Sequence, residues 1–190
     1  MPDSFPGLRQ CASAPVGSAP GLPAFGGDAQ TARHWYDRES RVLQAAVRLG
    51  QQHEFHRLAS YLARNTVLHL HAQGAFRDFR ELAQIAVAAA RRAADAQALC
   101  LSLALASAHQ ILGEFQSATE AAEEGLRVAR SHGDTVSEAA FLDLVGWAHI
   151  VLGRLSEGYD LLLSGIALHR ELGACRRESI ALCNLSTLLL

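Results

Sequence analysis

The sequence has 190 residues, of which 49% are apolar and 19% charged, so it can form one domain with a sizeable buried core. Its net charge is −2 and all 17 basic residues are arginine, which gives no electrostatic case for binding nucleic acid or an anionic membrane. No run of 18 apolar residues predicts a transmembrane helix, and no apolar core of a signal peptide is evident, so we expect a cytoplasmic protein. The four cysteines form no C-x-x-C pair and indicate reduced thiols rather than zinc ligands.

The first 28 residues differ in composition from the rest of the chain. They contain all five prolines, separated mainly by Gly, Ser and Ala. Such a segment buries too little apolar surface to offset its ordering entropy, so we predict a disordered tail over 1–28. The helical domain is predicted over 29–190, where the absence of proline favours uninterrupted helices.

The helical pattern begins near Ala29. Apolar residues follow at the spacing of one helix face, namely Trp35, Val42, Leu43, Ala46 and Leu49. Gly50 is predicted to end this helix. Further helices are predicted at about 53–72, 76–93, 96–112, 115–131, 136–152 and 155–172, with a last one from about 176 to the end.

Glycines and one capping pattern mark the predicted helix boundaries. Five glycines fall between predicted helices, where each can adopt the left-handed conformation that closes a helix: Gly74, Gly113, Gly133, Gly153 and Gly173. Thr135 and Glu138 match the capping-box pattern, which predicts that Thr135 caps the helix that follows it.

The second half of the chain repeats itself. Aligning 95–134 with 135–174 pairs identical residues 40 positions apart: Gly113 with Gly153, His109 with His149, Gly125 with Gly165, Arg130 with Arg170 and Gly133 with Gly173. A fixed period of roughly 33 to 47 residues is typical of helical solenoids, in which each helix pair buries its apolar face against its neighbours. We therefore predict an all-α solenoid of helical hairpins with repeats of about 40 residues.

The repeat resembles the tetratricopeptide repeat in its small residues. Ala106 and Gly146 lie in the first helix of their repeats, and small residues recur 12 and then seven positions later, as Ala118, Gly158, Gly125 and Gly165. The sequence departs from the family pattern in three ways. His109 and His149 replace the usual Tyr, Arg130 and Arg170 replace the usual terminal Pro, and the period is 40 rather than 34.

Two segments of the sequence resemble a more specific group of proteins. Ala-Arg-Ser-His-Gly-Asp at 129–134 and Ala-Arg-His-Trp-Tyr-Asp-Arg-Glu at 32–39 are similar to segments of bacterial regulators of two types, the antibiotic-regulatory-protein type and the large ATP-binding LuxR type. The resemblance implies an interaction and sensing module of such a transcription regulator. Because the sequence contains no P-loop and no DNA-binding motif, it would be the repeat portion only.

The tetratricopeptide resemblance also implies a binding surface, because the first helices of such pairs line a concave groove. Carried onto this sequence, the groove residues are Tyr61, Arg64, His71, Leu103, Ser107, Gln110, Asp143, Trp147, Ile150 and Thr187. Trp and Arg often dominate binding energy, so a protein or peptide partner is expected. The alternative is a receptor in which the groove closes on a small molecule. For Trp147, a purely structural role between helices stays open.

We expect neither a metal, nor a cofactor, nor catalysis. His53 and His56 share a helix face, but no acidic residue completes a metal site beside them. His109 and His149 are predicted to lie between helices. Glu120, Glu123 and Glu124 are expected on a solvated face, and no nucleophile is placed beside a base.

The sequence ends inside the first helix of a predicted repeat. Solenoid ends normally carry a polar cap, so Leu182, Leu185 and Leu189 are expected to be partly uncovered. Two interpretations follow. The chain is a fragment of a longer array, or its C-terminal helix docks on a second copy or on a partner.

Overall fold

A computed structural model of the chain describes residues 29–107 and 113–186. This part contains eight α-helices and no strand, which confirms the predicted all-α class. The helices are α1 (Ala29–Gln52), α2 (His56–Ala72), α3 (Phe76–Arg92), α4 (Ala96–Ser107), α5 (Phe115–His132), α6 (Thr135–Val151), α7 (Leu155–Glu171) and α8 (Cys175–Ser186). The predicted tail over 1–28 lies outside the described residues, as do His109, Gln110, Thr187 and Leu189.

The helices form two compact units, one ending at Ala93 and the other beginning at Ala94. In the first unit α2 packs on α1 and α3, and α1 also contacts α3. In the second unit each helix from α4 to α8 packs mainly on the next helix in the chain. The arrangement within each unit is consistent with stacked helical hairpins. None of the described helices is both long enough and apolar enough to cross a membrane.

The predicted glycine turns are confirmed. Gly74, Gly113, Gly133, Gly153 and Gly173 all have positive φ angles, between 65° and 80°. Gly133 shows the effect of this conformation. With a φ of 66°, it turns the chain so that the N–H of Asp134 donates to the carbonyl of Ala129, 3.0 Å away, and closes α5.

The prediction that Gly50 ends the first helix is wrong. α1 continues to Gln52, and Glu54 takes the positive φ of the following turn, at 60°. Gly50 is buried, and a β-carbon on it would lie 3.3 Å from that of Ala59 in α2. Its small size therefore lets α1 and α2 approach each other closely.

The predicted capping box at Thr135 is also wrong. Asp134 is the N-cap of α6, and its carboxylate accepts a hydrogen bond of 3.0 Å from the backbone N–H of Ser137. Glu138 instead accepts a hydrogen bond of 2.8 Å from Arg130 of α5. An Asp before a Thr competes for the same cap, and Asp is the better N-cap residue.

Small residues lie where helices cross, as the repeat pattern predicts. A β-carbon on Gly125 of α5 would meet the ring of Phe141 in α6 at 2.1 Å. Between α6 and α7, a β-carbon on Gly158 would meet the carbonyl oxygen of Gly146 at 2.7 Å. The lack of a β-carbon at these glycines therefore lets α5, α6 and α7 pack closely on one another.

Candidate functional site

In the first unit, the predicted groove residues Tyr61 and Arg64 contact each other on α2. Tyr61 is half-buried and Arg64 is only 4% exposed. The Cζ atom of Arg64 lies 4.8 Å from the centre of the Tyr61 ring, and that of Arg57 lies 6.0 Å from it. These distances permit cation–π attraction. Within the described residues, Nε and Nη1 of Arg64 are buried without a hydrogen-bond partner.

His71 packs within the α2–α3 hairpin. Its half-buried ring lies 5.6 Å from the ring of Phe79 and 6.3 Å from that of Phe76, measured between ring centres. Both phenylalanines belong to the start of α3. His71 therefore packs α2 against the start of α3. Only part of its ring is accessible to a ligand.

A polar cluster that was not predicted from the sequence lies between α1 and α2. The carboxylate of Asp37 accepts a hydrogen bond of 2.6 Å from Gln73 and lies 3.1 Å from Nε2 of His69. Tyr36 stacks on His69 at 5.2 Å between ring centres, and burial raises the pKa of Tyr36. The spacing of His69 and Gln73 by four residues is the sequence signal for a shared face.

In the second unit, two predicted groove residues are closed to solvent. Leu103 is 1% exposed and Ser107 is 0% exposed on α4. The Ser107 hydroxyl donates to the carbonyl of Leu103 over 2.7 Å, so its hydrogen-bonding capacity is used within the helix. Neither residue presents a surface to a partner in this structure.

Asp143 is buried in a hydrogen-bonded pair with His169, which was not predicted from the sequence. Its Oδ2 atom lies 2.8 Å from Nε2 of His169, and the two residues are 7% and 2% exposed. Its Oδ1 atom has no hydrogen-bond partner among the described residues, and a β-carbon on Gly165 would lie 2.6 Å from that atom. Burial lowers the pKa of Arg177 in α8, and the charge of Asp143 partly offsets this effect. The pair therefore joins α6 to α7 inside the unit.

Trp147 and Ile150 of α6 are half-buried, so part of each side chain is accessible. Next to α6, α7 carries an exposed apolar stripe, consisting of Leu155 (55% exposed), Tyr159 (41%) and Leu163 (41%). These three residues are spaced by four positions and so share one side of the helix. An amphipathic aromatic residue between two leucines is typical of a protein-binding surface.

His149 is buried between helices, as predicted. Its Nδ1 atom lies 3.1 Å from a carboxylate oxygen of Glu157 in α7, and its Nε2 atom lies 3.6 Å from one of Glu123 in α5. Neither ring nitrogen has hydrogen-bond geometry to these or to other described groups. The carboxylates of Glu123 and Glu157 are both at least partly exposed. They therefore form a loose electrostatic contact with the imidazole rather than a metal site. Among the described residues, no three His, Cys, Asp or Glu side chains are grouped to hold a metal ion.

The surface of α3 carries a shallow, open depression of about 440 Å³. Arg77, Arg80, Glu81 and Gln84 line it. Glu81 accepts a hydrogen bond of 2.7 Å from Arg48 of α1, which lowers the pKa of Glu81. Because both side chains are exposed, this pair adds little stability, and the depression lacks the apolar enclosure of a ligand pocket.

Neither a protein-family model nor a curated protein matches this chain at a significant level.

Proposed function

We propose that this chain is a non-enzymatic module that binds a protein or peptide partner on its second unit. The exposed stripe of Leu155, Tyr159 and Leu163 on α7 is the observation that supports this function most strongly. Burying such side chains against a partner releases hydration water and provides the main driving force for association. Trp147 on the neighbouring helix adds a partly accessible aromatic side chain.

The partner surface proposed from the structure differs from the groove expected from the resemblance. Tyr61, His71, Trp147 and Ile150 are partly accessible, whereas Arg64 and Asp143 are buried. We therefore assign the main partner contacts to Trp147 and the α7 stripe, and treat Asp143 as a group that holds α7 in place beneath it.

The resemblance to bacterial transcription regulators suggests how binding acts. Partner-binding energy would favour one arrangement of the helical hairpins over another, and that shift would control an effector domain attached to the repeats. Under this proposal the module acts in the cytoplasm and carries out no chemistry itself.

The test is partner capture from a lysate of the source organism, followed by affinity measurement with the purified partner. Trp147→Ala and the double variant Tyr159→Ala/Leu163→Ala should weaken binding by about 30-fold, the effect of losing a hot-spot side chain of about 2 kcal/mol. Leu58→Ala is the matched control, because Leu58 is 65% exposed on α2 in the other unit. Unchanged affinity in both test variants, with helical content retained by circular dichroism, would contradict the proposal.

Self-association is a distinct outcome of the same variants. If the stripe docks on a second copy, sedimentation of the unmodified chain will depend on concentration. Tyr159→Ala/Leu163→Ala will then be monomeric, while Leu58→Ala will behave like the unmodified chain. A concentration-independent monomer that captures a different protein supports the hetero-partner proposal.

A second candidate function is a receptor for a small molecule. Buried Arg64 favours it, because two of its nitrogens have no hydrogen-bond partner among the described residues. The expected signature is a ligand that binds only the folded chain and so raises its apparent melting temperature.

A further inference from the structure

Arg64 lies in the interior of the first unit with much of its hydrogen-bonding capacity unused. The residue is 4% exposed, and both Nε and Nη1 are buried without a partner among the described residues. These two nitrogens carry three of the five N–H donors of a guanidinium. Because arginine does not lose its proton inside proteins, the positive charge remains and requires compensation.

The contacts of Arg64 supply only part of that compensation. The Tyr61 ring lies 4.8 Å from Cζ and attracts the cation through its face. The ring face provides no hydrogen-bond acceptor for the N–H groups of Arg64, which lie in the plane of the guanidinium. α2 itself contains no Asp or Glu. The carboxylates of Asp37 and Glu81 elsewhere in the unit are already bonded, to Gln73 and Arg48 respectively.

A second unpaired donor lies one helical turn before Arg64. The hydroxyl of Ser60 is buried without a hydrogen-bond partner among the described residues, and Ser60 is 1% exposed. Residues four apart share a helix face, and the contact with Tyr61 shows that the Arg64 side chain runs back toward the N-terminus of α2. The hydroxyl and the guanidinium therefore belong to consecutive turns on the same face of α2. His56, a further turn back, also has a buried, unpaired Nδ1 atom.

We propose that Arg64 and Ser60 form a binding site for the oxyanion group of a small molecule, either a carboxylate or a phosphate. An oxyanion supplies the negative charge and several acceptor lone pairs, so one group can accept hydrogen bonds from both residues. Charge-assisted hydrogen bonds of this kind are strong where water is excluded. The inference rests on the second candidate function and gives it a ligand class. Because the site is closed, ligand entry requires local opening and will be slow compared with diffusion.

The first test measures the melting temperature of the full chain in inorganic phosphate, acetate or chloride at equal ionic strength. At ten times the dissociation constant, phosphate or acetate should raise the melting temperature by about 3–6 °C over chloride. Arg64→Met should abolish this rise. Arg41→Met is the matched control, because Arg41 is exposed on α1, and it should retain the rise.

The two probes separate the two ligand chemistries. A response to phosphate alone assigns the site to a phosphorylated ligand, and a response to acetate alone assigns it to a carboxylate. A response to neither probe, or an equal response in Arg64→Met, overturns the proposal.

The stability of the variants in chloride gives an independent test. Methionine fills a similar volume without a buried charge, so Arg64→Met should melt at the same temperature as the unmodified chain or higher. A large drop, or failure to fold, would show that Arg64 stabilises the fold itself and would overturn the proposal.

Ser60→Ala should leave the melting temperature in chloride unchanged. It should weaken binding of the anion that raises the melting temperature of the unmodified chain by about tenfold. If Ser60→Ala binds the anion with unaltered affinity, Ser60 is not part of the site.

Partner capture on α7 is measured separately on the same variants. If Arg64→Met loses its anion response but still captures the partner, both proposals are supported. If the two sites are independent, the Tyr159→Ala/Leu163→Ala variant should lose partner capture and keep the anion response of Arg64. Each proposal can therefore fail without the other.

Discussion

Gly125 shows how one atom limits the approach of two helices. An added β-carbon would lie 2.1 Å from the ring of Phe141, which is 1% exposed and cannot move into solvent. We expect Gly125→Ala to lower the free energy of unfolding by about 1–3 kcal/mol, the usual cost of overpacking. Chemical denaturation followed by circular dichroism measures this change.

A double-mutant cycle identifies the cause of that loss. Phe141→Leu shortens the side chain that the added β-carbon would strike, so the combined variant should lose less stability than the sum of the single variants. Gly133→Ala is the control. It has a φ of 66° with nothing within 4 Å of an added β-carbon, so its cost comes from the backbone. A similar coupling of Phe141→Leu with Gly133→Ala would refute the steric explanation.

Cys100 should be chemically inert although it is a free thiol. Burial and, second, the charge of Asp134 raise the pKa of Cys100 to about 11, which a hydrogen bond with Ser137 only partly opposes. At pH 8 about one thiol in a thousand is then ionised, and the thiolate is the reactive form. Iodoacetamide should therefore modify exposed Cys175 and Cys183 but not Cys100, as measured by mass spectrometry of a Cys11→Ser variant.

Denaturant provides the control for this labelling experiment, because unfolding should expose all remaining thiols equally. Rapid modification of Cys100 in the folded chain would contradict its assigned burial.

The raised pKa of Cys100 also makes the stability of the chain depend on pH. The unfolded thiol ionises near its ordinary pKa of 9.0 while the folded one does not, so the free energy of unfolding falls as the pH rises above about 9.

At the scale of the helix, the start of α6 depends on Asp134. Its carboxylate accepts a hydrogen bond from the N–H of Ser137, which would otherwise lack a partner in the first turn. We expect Asp134→Ala to lower the free energy of unfolding by about 1 kcal/mol, measured by urea denaturation. Thr135→Ala should change it by less than about 0.5 kcal/mol, because Thr135 is exposed and does not cap the helix. Equal losses in the two variants would restore the capping-box interpretation.

The helix boundaries show what local sequence can and cannot predict. Gly74, Gly133 and Gly153 follow the ends of helices because a left-handed residue is needed there, and glycine adopts this conformation without steric cost. Glu54 and Ala94 adopt the same conformation without being glycine, at φ values of 60° and 51°. Other interactions of the folded chain offset their strain, and these interactions are not a local property of the sequence.

At the scale of the whole molecule, the chain contains two compact units with their own buried side chains. Leu82 of α3 is 0% exposed, so Leu82→Ala should cost about 2–5 kcal/mol. If each unit depends mainly on contacts between neighbouring helices, hydrogen exchange should accelerate in α1–α3 and stay slow in α5–α7. Leu58→Ala, at an exposed position, is the control and should leave exchange unchanged. Equal acceleration in both units would show that they unfold together.

The candidate site was only partly predictable. Among the groove residues implied by the tetratricopeptide resemblance, Trp147 and Ile150 are partly accessible, but Leu103 and Ser107 are closed to solvent. The resemblance on which the groove rested assigns positions on a helix face but does not determine how far a neighbouring helix covers them. The α7 stripe was missed for the same reason, because a leucine spaced by four residues is as typical of a core as of an exposed face.

The sequence by itself determined the all-α class, most helix boundaries and the small residues at helix crossings. These depend on apolar periodicity, on the conformational freedom of glycine and on side-chain size, which are properties of short segments. Only the tertiary structure decided that Asp143 pairs with His169 and that the guanidinium of Arg64 is buried with unpaired nitrogens. Burial and pairing depend on which side chains distant in sequence come within a few ångströms of each other, and this is set by packing.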